Sequence, residues 1–197
     1  MNERTYENVD APSPRGKRKR KKAPPPISQN DFQRAAARHL DRYSASVAGL
    51  RAVLERRAWR SAAHHGGHAR EADGLIESVV NQCIELGLVD DTAYGRALVR
   101  RIRNRGGSLR RVQSELIKKG VPQDICGDLL RELKESDTEL ETAQIYARRR
   151  RLGPHRRPPE KRDEYRQKDL AAMARAGFPS SIIMAVLDSS RQVDPDA

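Results

Sequence analysis

Apolar residues recur along this chain at three- and four-residue spacings, and short polar or glycine-containing stretches interrupt them. Phe32, Ala36 and Leu40 share one helical face. Ser44 or Ser46 is placed to cap a second helix carrying Val47, Leu50 and Leu54 to Trp59. The stretch from His64 to His68 breaks the pattern, which resumes with Leu75, Val79, Cys83 and Leu86 and stops at Gly87. Asp90 or Asp91 caps a stripe of Tyr94, Leu98 and Ile102 that ends at Gly106 and Gly107. Ser108 opens Leu109, Val112 and Leu116, closed by Gly120, and Pro122 at a first-turn position opens Ile125, Leu129 and Leu133. A helix from about Thr138 to Arg151 is followed by Gly153, Pro154, Pro158 and Pro159, then by helices from about Glu160 to Ala176 and Pro179 to Leu187. Nowhere do β-branched and aromatic residues alternate over five or more positions. The pattern predicts nine helices and an all-α fold.

The nine helices read as three sets of three. Gly120-Val121-Pro122-Gln123-Asp124-Ile125 is mirrored 57 residues later by Gly177-Phe178-Pro179-Ser180-Ser181-Ile182, with Leu130 and Leu187 at the same offset. Each segment supplies a helix stop, an apolar plug and a proline-started helix. Trp59 takes the plug position of the first set. Small helical units of this kind bury too little alone and lean on their neighbours, so an elongated, curved array is expected. The expected division is a tail over 1–30, three-helix units over 31–89, 90–136 and 137–190, and a disordered C-terminus over 191–197. Leu109, Leu116, Val121, Ile125, Phe178 and Trp59 are expected in the core. Gly120 and Gly177 are expected as helix C-caps with positive φ.

Charge changes the picture. The 197 residues carry 39 Lys and Arg against 27 Asp and Glu, a formal +12. Seven of the eight positions from Arg15 to Lys22 are basic, and three prolines follow. Such a stretch repels itself and has nothing apolar to bury, so the tail should be disordered. It accounts for only +5, which leaves the helical part basic too. No apolar run approaches a membrane span or a signal-peptide core. Two cysteines, Cys83 and Cys126, lie within apolar stripes and form no disulfide framework. A cytoplasmic, monomeric, basic helical protein fits, and a membrane or secreted protein does not.

Catalytic chemistry has little to work with. A cysteine on an apolar helical stripe is a packing residue. His64, His65 and His68 sit in a glycine-flanked break with no acidic or cysteine partner at ligand spacing. Adjacent Asp90 and Asp91 fit a helix cap better than a carboxylate dyad, with Glu85 the only other acid nearby. No catalytic residue, metal or cofactor is expected, and the chain reads as a non-enzyme.

The basic residues are more telling. Arg96, Arg100 and Arg103 fall at i, i+4 and i+7, Arg101 and Arg105 widen the band, and Arg110, Arg111, Lys118 and Lys119 extend it. A second block comprises Arg148, Arg149, Arg150 and Arg151, extended by Arg156 and Arg157. A merely solubilising face would interleave signs, yet no acid falls between Arg96 and Arg111. Arginine also favours planar pairing with carboxylate or phosphate. These residues are the candidate partner- and phosphate-binding set. Leu109 to Gly120 followed by Pro122 to Leu133 has the outline of a helix–turn–helix module. Its would-be recognition helix begins Gln123-Asp124, however, and that acidic end is wrong for reading duplex DNA.

The run from Glu85 to Tyr94 (Glu-Leu-Gly-Leu-Val-Asp-Asp-Thr-Ala-Tyr) carries a Leu-Gly-hydrophobic-Asp-Asp opening. With Gly107-Ser108-Leu109-Arg110-Arg111, Glu115-Leu116 and Lys119-Gly120, it resembles the RecX family of bacterial recombination regulators. Ala176-Gly177-Phe178-Pro179 is similar to that family's final helix start. The resemblance covers roughly 31–188; Gly49 and the histidine spacer depart from it. It implies tandem three-helix units that bind the RecA recombinase filament on single-stranded DNA and inhibit its ATPase and strand exchange. Single-stranded and double-stranded DNA are the implied nucleic-acid partners. A basic protein that simply coats DNA is the alternative, although few aromatic residues are present for base stacking.

Overall fold

The computed structural model describes residues 23–136 and 138–189, so the basic run from Arg15 to Lys22 and the segment 191–197 lie outside the described residues. Nine α-helices are present among them, with three short 3-10 turns and no strand. They are α1 (Gln29–Leu40), α2 (Val47–His65), α3 (Asp73–Glu85), α4 (Asp91–Arg103), α5 (Leu109–Lys118), α6 (Gln123–Glu135), α7 (Glu139–Arg150), α8 (Arg162–Arg175) and α9 (Ser180–Asp188).

The apolar stripes gather into three separate cores. Phe32, Leu50, Leu54, Ile76, Val79 and Val80 form the first, between α1, α2 and α3. Leu98, Ile102, Val112, Leu116, Val121 and Leu129 form the second, between α4, α5 and α6. Met173, Phe178, Ile183, Val186 and Leu187 join Ala143 and Ala147 in the third, between α7, α8 and α9. The 57-residue repeat reappears as matched burial, with Val121 and Phe178 both plugging a core and Cys126 and Ile183 both buried behind them. Pro122 and Pro179 stand one step earlier than expected, as the N-cap residues of α6 and α9.

Trp59 departs from expectation. It is 68% exposed, because α2 runs on to His65 and turns Ala58 and Ala62 to the core instead. Ala72, at the end of a 3-10 turn, is the fully buried residue ahead of α3. The segment 23–28, expected to belong to the disordered tail, is instead tied down. Ile27 packs on the first core, Ser61 donates to the Pro25 carbonyl at 2.8 Å, and the His65 ring is 2.7 Å from that of Pro24.

Consecutive triplets are fastened by the same joint used twice. At the first, the Ser46 hydroxyl accepts from Gly49 N–H as the N-cap of α2 and donates to the Lys119 carbonyl of the next triplet. At the second, Ser108 accepts from Arg111 N–H as the N-cap of α5 and donates to the Ala176 carbonyl at 2.6 Å. Both acceptor carbonyls immediately precede a positive-φ glycine, Gly120 at +69° and Gly177 at +91°. A Cβ on Gly120 would come within 2.5 Å of the Ala48 Cβ, and one on Gly177 within 2.9 Å of the Ser108 hydroxyl. Glycine is therefore required there for close approach as well as for its conformation.

An acid from the following triplet completes each joint. Asp91 accepts from Val47 N–H at 3.0 Å, and Glu139 accepts from Leu109 N–H at 3.2 Å. Each thus satisfies an orphan donor in the first turn of a helix it does not belong to. Asp90, not Asp91, is the cap of its own helix, receiving Thr92 and Ala93 N–H at 2.8 and 3.0 Å.

The second joint adds an ion pair that corrects the reading of Arg103. Its guanidinium pairs with Glu139, donates to Thr138 at 2.9 Å and to the Gly107 carbonyl at 3.3 Å, and is 8% exposed. The i, i+4, i+7 spacing with Arg96 and Arg100 placed it on a solvent face. In fact α4 rotates it toward the third triplet, where the carboxylate, the threonine and the carbonyl consume its fork. Arg103 is a structural residue of the joint.

Two stability predictions follow from these joints. Arg103→Met should lose about 3–5 kcal/mol in urea unfolding, because it strands the buried Glu139 carboxylate. At Asp91, burial outweighs the Val47 hydrogen bond and, with help from Asp90, pushes the carboxyl pKa up. A raised folded-state pKa means this group favours folding below its unfolded value and loses that contribution as pH rises through the acid range. Asp91→Asn, which keeps the acceptor without the charge, should therefore unfold no more easily than the parent at neutral pH. Asp91→Ala should cost about 1–3 kcal/mol by orphaning Val47 N–H.

Candidate functional site

A groove lies beside the first joint, between α1–α2 and α4–α5. Its volume is about 540 Å³. Arg101 reaches it from α4 together with Tyr94, the two being seven residues apart on one helical face. Lys118 and Lys119 reach it from the end of α5, and Arg56 from α2. Four cations therefore line one concavity, and no carboxylate lines it. Its apolar elements are exposed, Tyr43 at 62% and Ile117 at 63%, with the His39 ring tilted against Tyr43 at 5.4 Å. Exposed aromatic and aliphatic side chains thus stand among four cations in one concavity.

The other candidate residues divide. Arg96 is partly spent on Glu132 at 3.3 Å, both side chains being largely exposed. Arg100, Arg110 and Arg111 are exposed, and no carboxylate lies within ion-pair reach of them among the described residues. Arg110 lies beside Gly177 at the second joint, so its charge extends along the outside of that joint. Arg105 and Arg149 meet across the second and third triplets, where the Arg149 guanidinium donates to the Arg105 carbonyl at 3.0 Å. Arg148, Arg149, Arg150 and Arg151 are all exposed at the end of α7. The structure thus brings Arg101, Lys118 and Lys119 together in the groove. It sets Arg105 and Arg149 at the second joint and removes Arg103 altogether. Sequence reasoning missed Arg56, Tyr43 and His39, which come from the first triplet and meet α5 only through the joint.

Other chemistry is thin. Burial pushes the thiols of Cys83 and Cys126 up, away from thiolate formation. His64 and His65 stack on each other at 4.7 Å, and His68 takes part in a capping box with Glu71. Among the described residues no cluster of three or more histidine, cysteine or acidic side chains is arranged to hold a metal ion. No described helix is long and apolar enough to cross a membrane.

Comparison with known proteins gives a consistent picture. The chain is 38% identical to the regulatory protein RecX of Myxococcus xanthus, over 86% of this chain and 90% of that protein. It is 28% identical to the regulatory protein RecX of Trichlorobacter lovleyi, over 81% of this chain and 95% of the relative. The crystal structure of RecX from Lactobacillus salivarius superposes with a TM-score of 0.58, covering 84% of this chain and 97% of that one. At 20% identity this last likeness speaks for the fold alone. No family model matches the chain.

Proposed function

The chain belongs to the RecX family, a family of regulatory proteins, and from that premise we propose that it is a negative regulator of the RecA recombinase. It binds the RecA filament on single-stranded DNA through its basic helical face and inhibits ATP hydrolysis and strand exchange. The observation that carries this reading is the groove at the first joint. There Arg56, Arg101, Lys118 and Lys119 surround exposed Tyr43 and Ile117. Cations alone would suit any phosphate backbone. Cations around bare apolar side chains suit a protein surface that is acidic and apolar together, with DNA phosphate near by. The joints add reach, since successive triplets are held in register and exposed arginines continue from the groove to the end of α7.

Inhibition on this account needs no catalytic group. A rigid basic body lying along the filament opposes its growth or its rearrangement by occupancy, and charge complementarity sets how fast it arrives. DNA coating by the same charges would instead require the nucleic acid to be saturated.

The variant Arg101→Glu/Lys118→Glu/Lys119→Glu tests the reading in single-stranded-DNA-dependent strand exchange by RecA. All three side chains are exposed, so its unfolding midpoint should stay close to the parent's. Inhibition should fall at least tenfold in the concentration required. A folded triple variant that inhibits as well as the parent would remove the groove from the mechanism.

A further inference from the structure

A second concavity lies wholly within the third triplet, where the end of α7 meets the turns leading into α8. Its volume is about 920 Å³. Arg148, Arg151, Arg156, Arg157 and Arg162 line it together with His155, and no carboxylate does. Helix-end electrostatics explains only part of this set. Arg148 and Arg151 sit at the C-terminus of α7, where cations are favoured, but Arg162 is the first residue of α8, where they are disfavoured.

The wall is built, not loose. Asp169, 1% exposed, accepts from Gly153 N–H at 2.8 Å and from Arg156, and the Arg156 guanidinium lies over the Tyr165 ring at 4.5 Å. Arg162 donates to the Pro154 carbonyl at 2.8 Å, while its Nε is buried with no hydrogen-bond partner. Burial first, and then the nearby charges of Arg148 and Arg162, lower the pKa of His155, so the neutral ring adds no competing charge to the wall.

We propose that this cavity is a binding site for phosphate groups in series, held by paired guanidinium forks and read without regard to base. Five arginines line the space and no carboxylate does, while Asp169 pairs with Arg156 from behind the wall. Guanidinium forks match phosphate oxygens two at a time. The space exceeds one phosphate many times over, and no Tyr, Phe or Trp side chain lines it as a stacking platform. The ligand is therefore a run of backbone phosphates of a nucleic-acid strand, or the polyphosphate of a free nucleotide. The inference is independent of the recombinase reading, and its test contains no recombinase.

The test compares the full chain with Arg148→Gln/Arg157→Gln, two exposed positions, using three probes: an oligothymidylate, inorganic tripolyphosphate and a polyglutamate peptide. Loss of oligothymidylate affinity by about tenfold, with a log–log salt slope reduced by about 1.4 for two lost single-strand phosphate contacts, is the expected result. Accompanying loss of tripolyphosphate binding identifies free polyphosphate as a ligand too, and its retention restricts the site to strands. Loss for tripolyphosphate alone assigns the site to free nucleotides. Unchanged affinity for both phosphate probes, or an equal loss for polyglutamate, would overturn the proposal. Arg151→Gln/Arg157→Gln, on the same wall, gives an independent reading should the first variant fail to reach the parent's unfolding midpoint.

Discussion

A three-helix unit of about fifty residues buries too little apolar surface to fix its neighbour's position by packing alone. In this chain the position is fixed by a serine hydroxyl used in both directions. Ser46 and Ser108 each accept from their own helix's first turn and donate to a carbonyl of the following triplet. The same hydroxyl that starts a helix therefore sets where the next triplet sits, and a positive-φ glycine beside the carbonyl lets the two backbones close. Asp91 and Glu139 return the contact from the other side. The first triplet bonds to the second, and the second to the third, through these two joints in turn.

How much of this was legible in the sequence follows from the range of each interaction. The apolar stripes act over three and four residues, and they located all nine helices to within a few positions. The 57-residue repeat located matching core positions for the same reason. The joints escaped notice because each half has an ordinary local explanation. Ser46 and Ser108 read as plain N-caps, which they are, and nothing nearby reveals the second bond to a carbonyl 73 or 68 residues away. Arg103 was misread because its helical phase matches exposed Arg96 and Arg100, while the carboxylate that buries it comes from 36 residues on. Trp59 was misread because bulk suggested a plug where small Ala58 and Ala62 suffice. Part of the groove was within reach: Tyr94 and Arg101 lie seven apart on one face. Its other wall, Tyr43 and Arg56, depends on how the joint folds the first triplet against α5.

The joints also explain why the basic residues are not equivalent. At the second joint, arginine charge is consumed internally by Glu139 and by backbone carbonyls. Beside the first, a groove remains whose lining holds four cations and no carboxylate. The same sequence bias toward arginine thus produces structural clamps in one place and an attractive surface in another. The family relationship gives that surface a setting, and the bare Tyr43 and Ile117 give it a character that phosphate attraction alone does not require.

The most direct test of the account is RecA ATP hydrolysis on single-stranded DNA, with this chain titrated from far below the recombinase concentration at two salt concentrations. Direct action on the filament predicts inhibition at a small fraction of the recombinase, largely retained at the higher salt because apolar contacts share the binding. Inhibition that begins only when the DNA is saturated, and that disappears with salt, would contradict it.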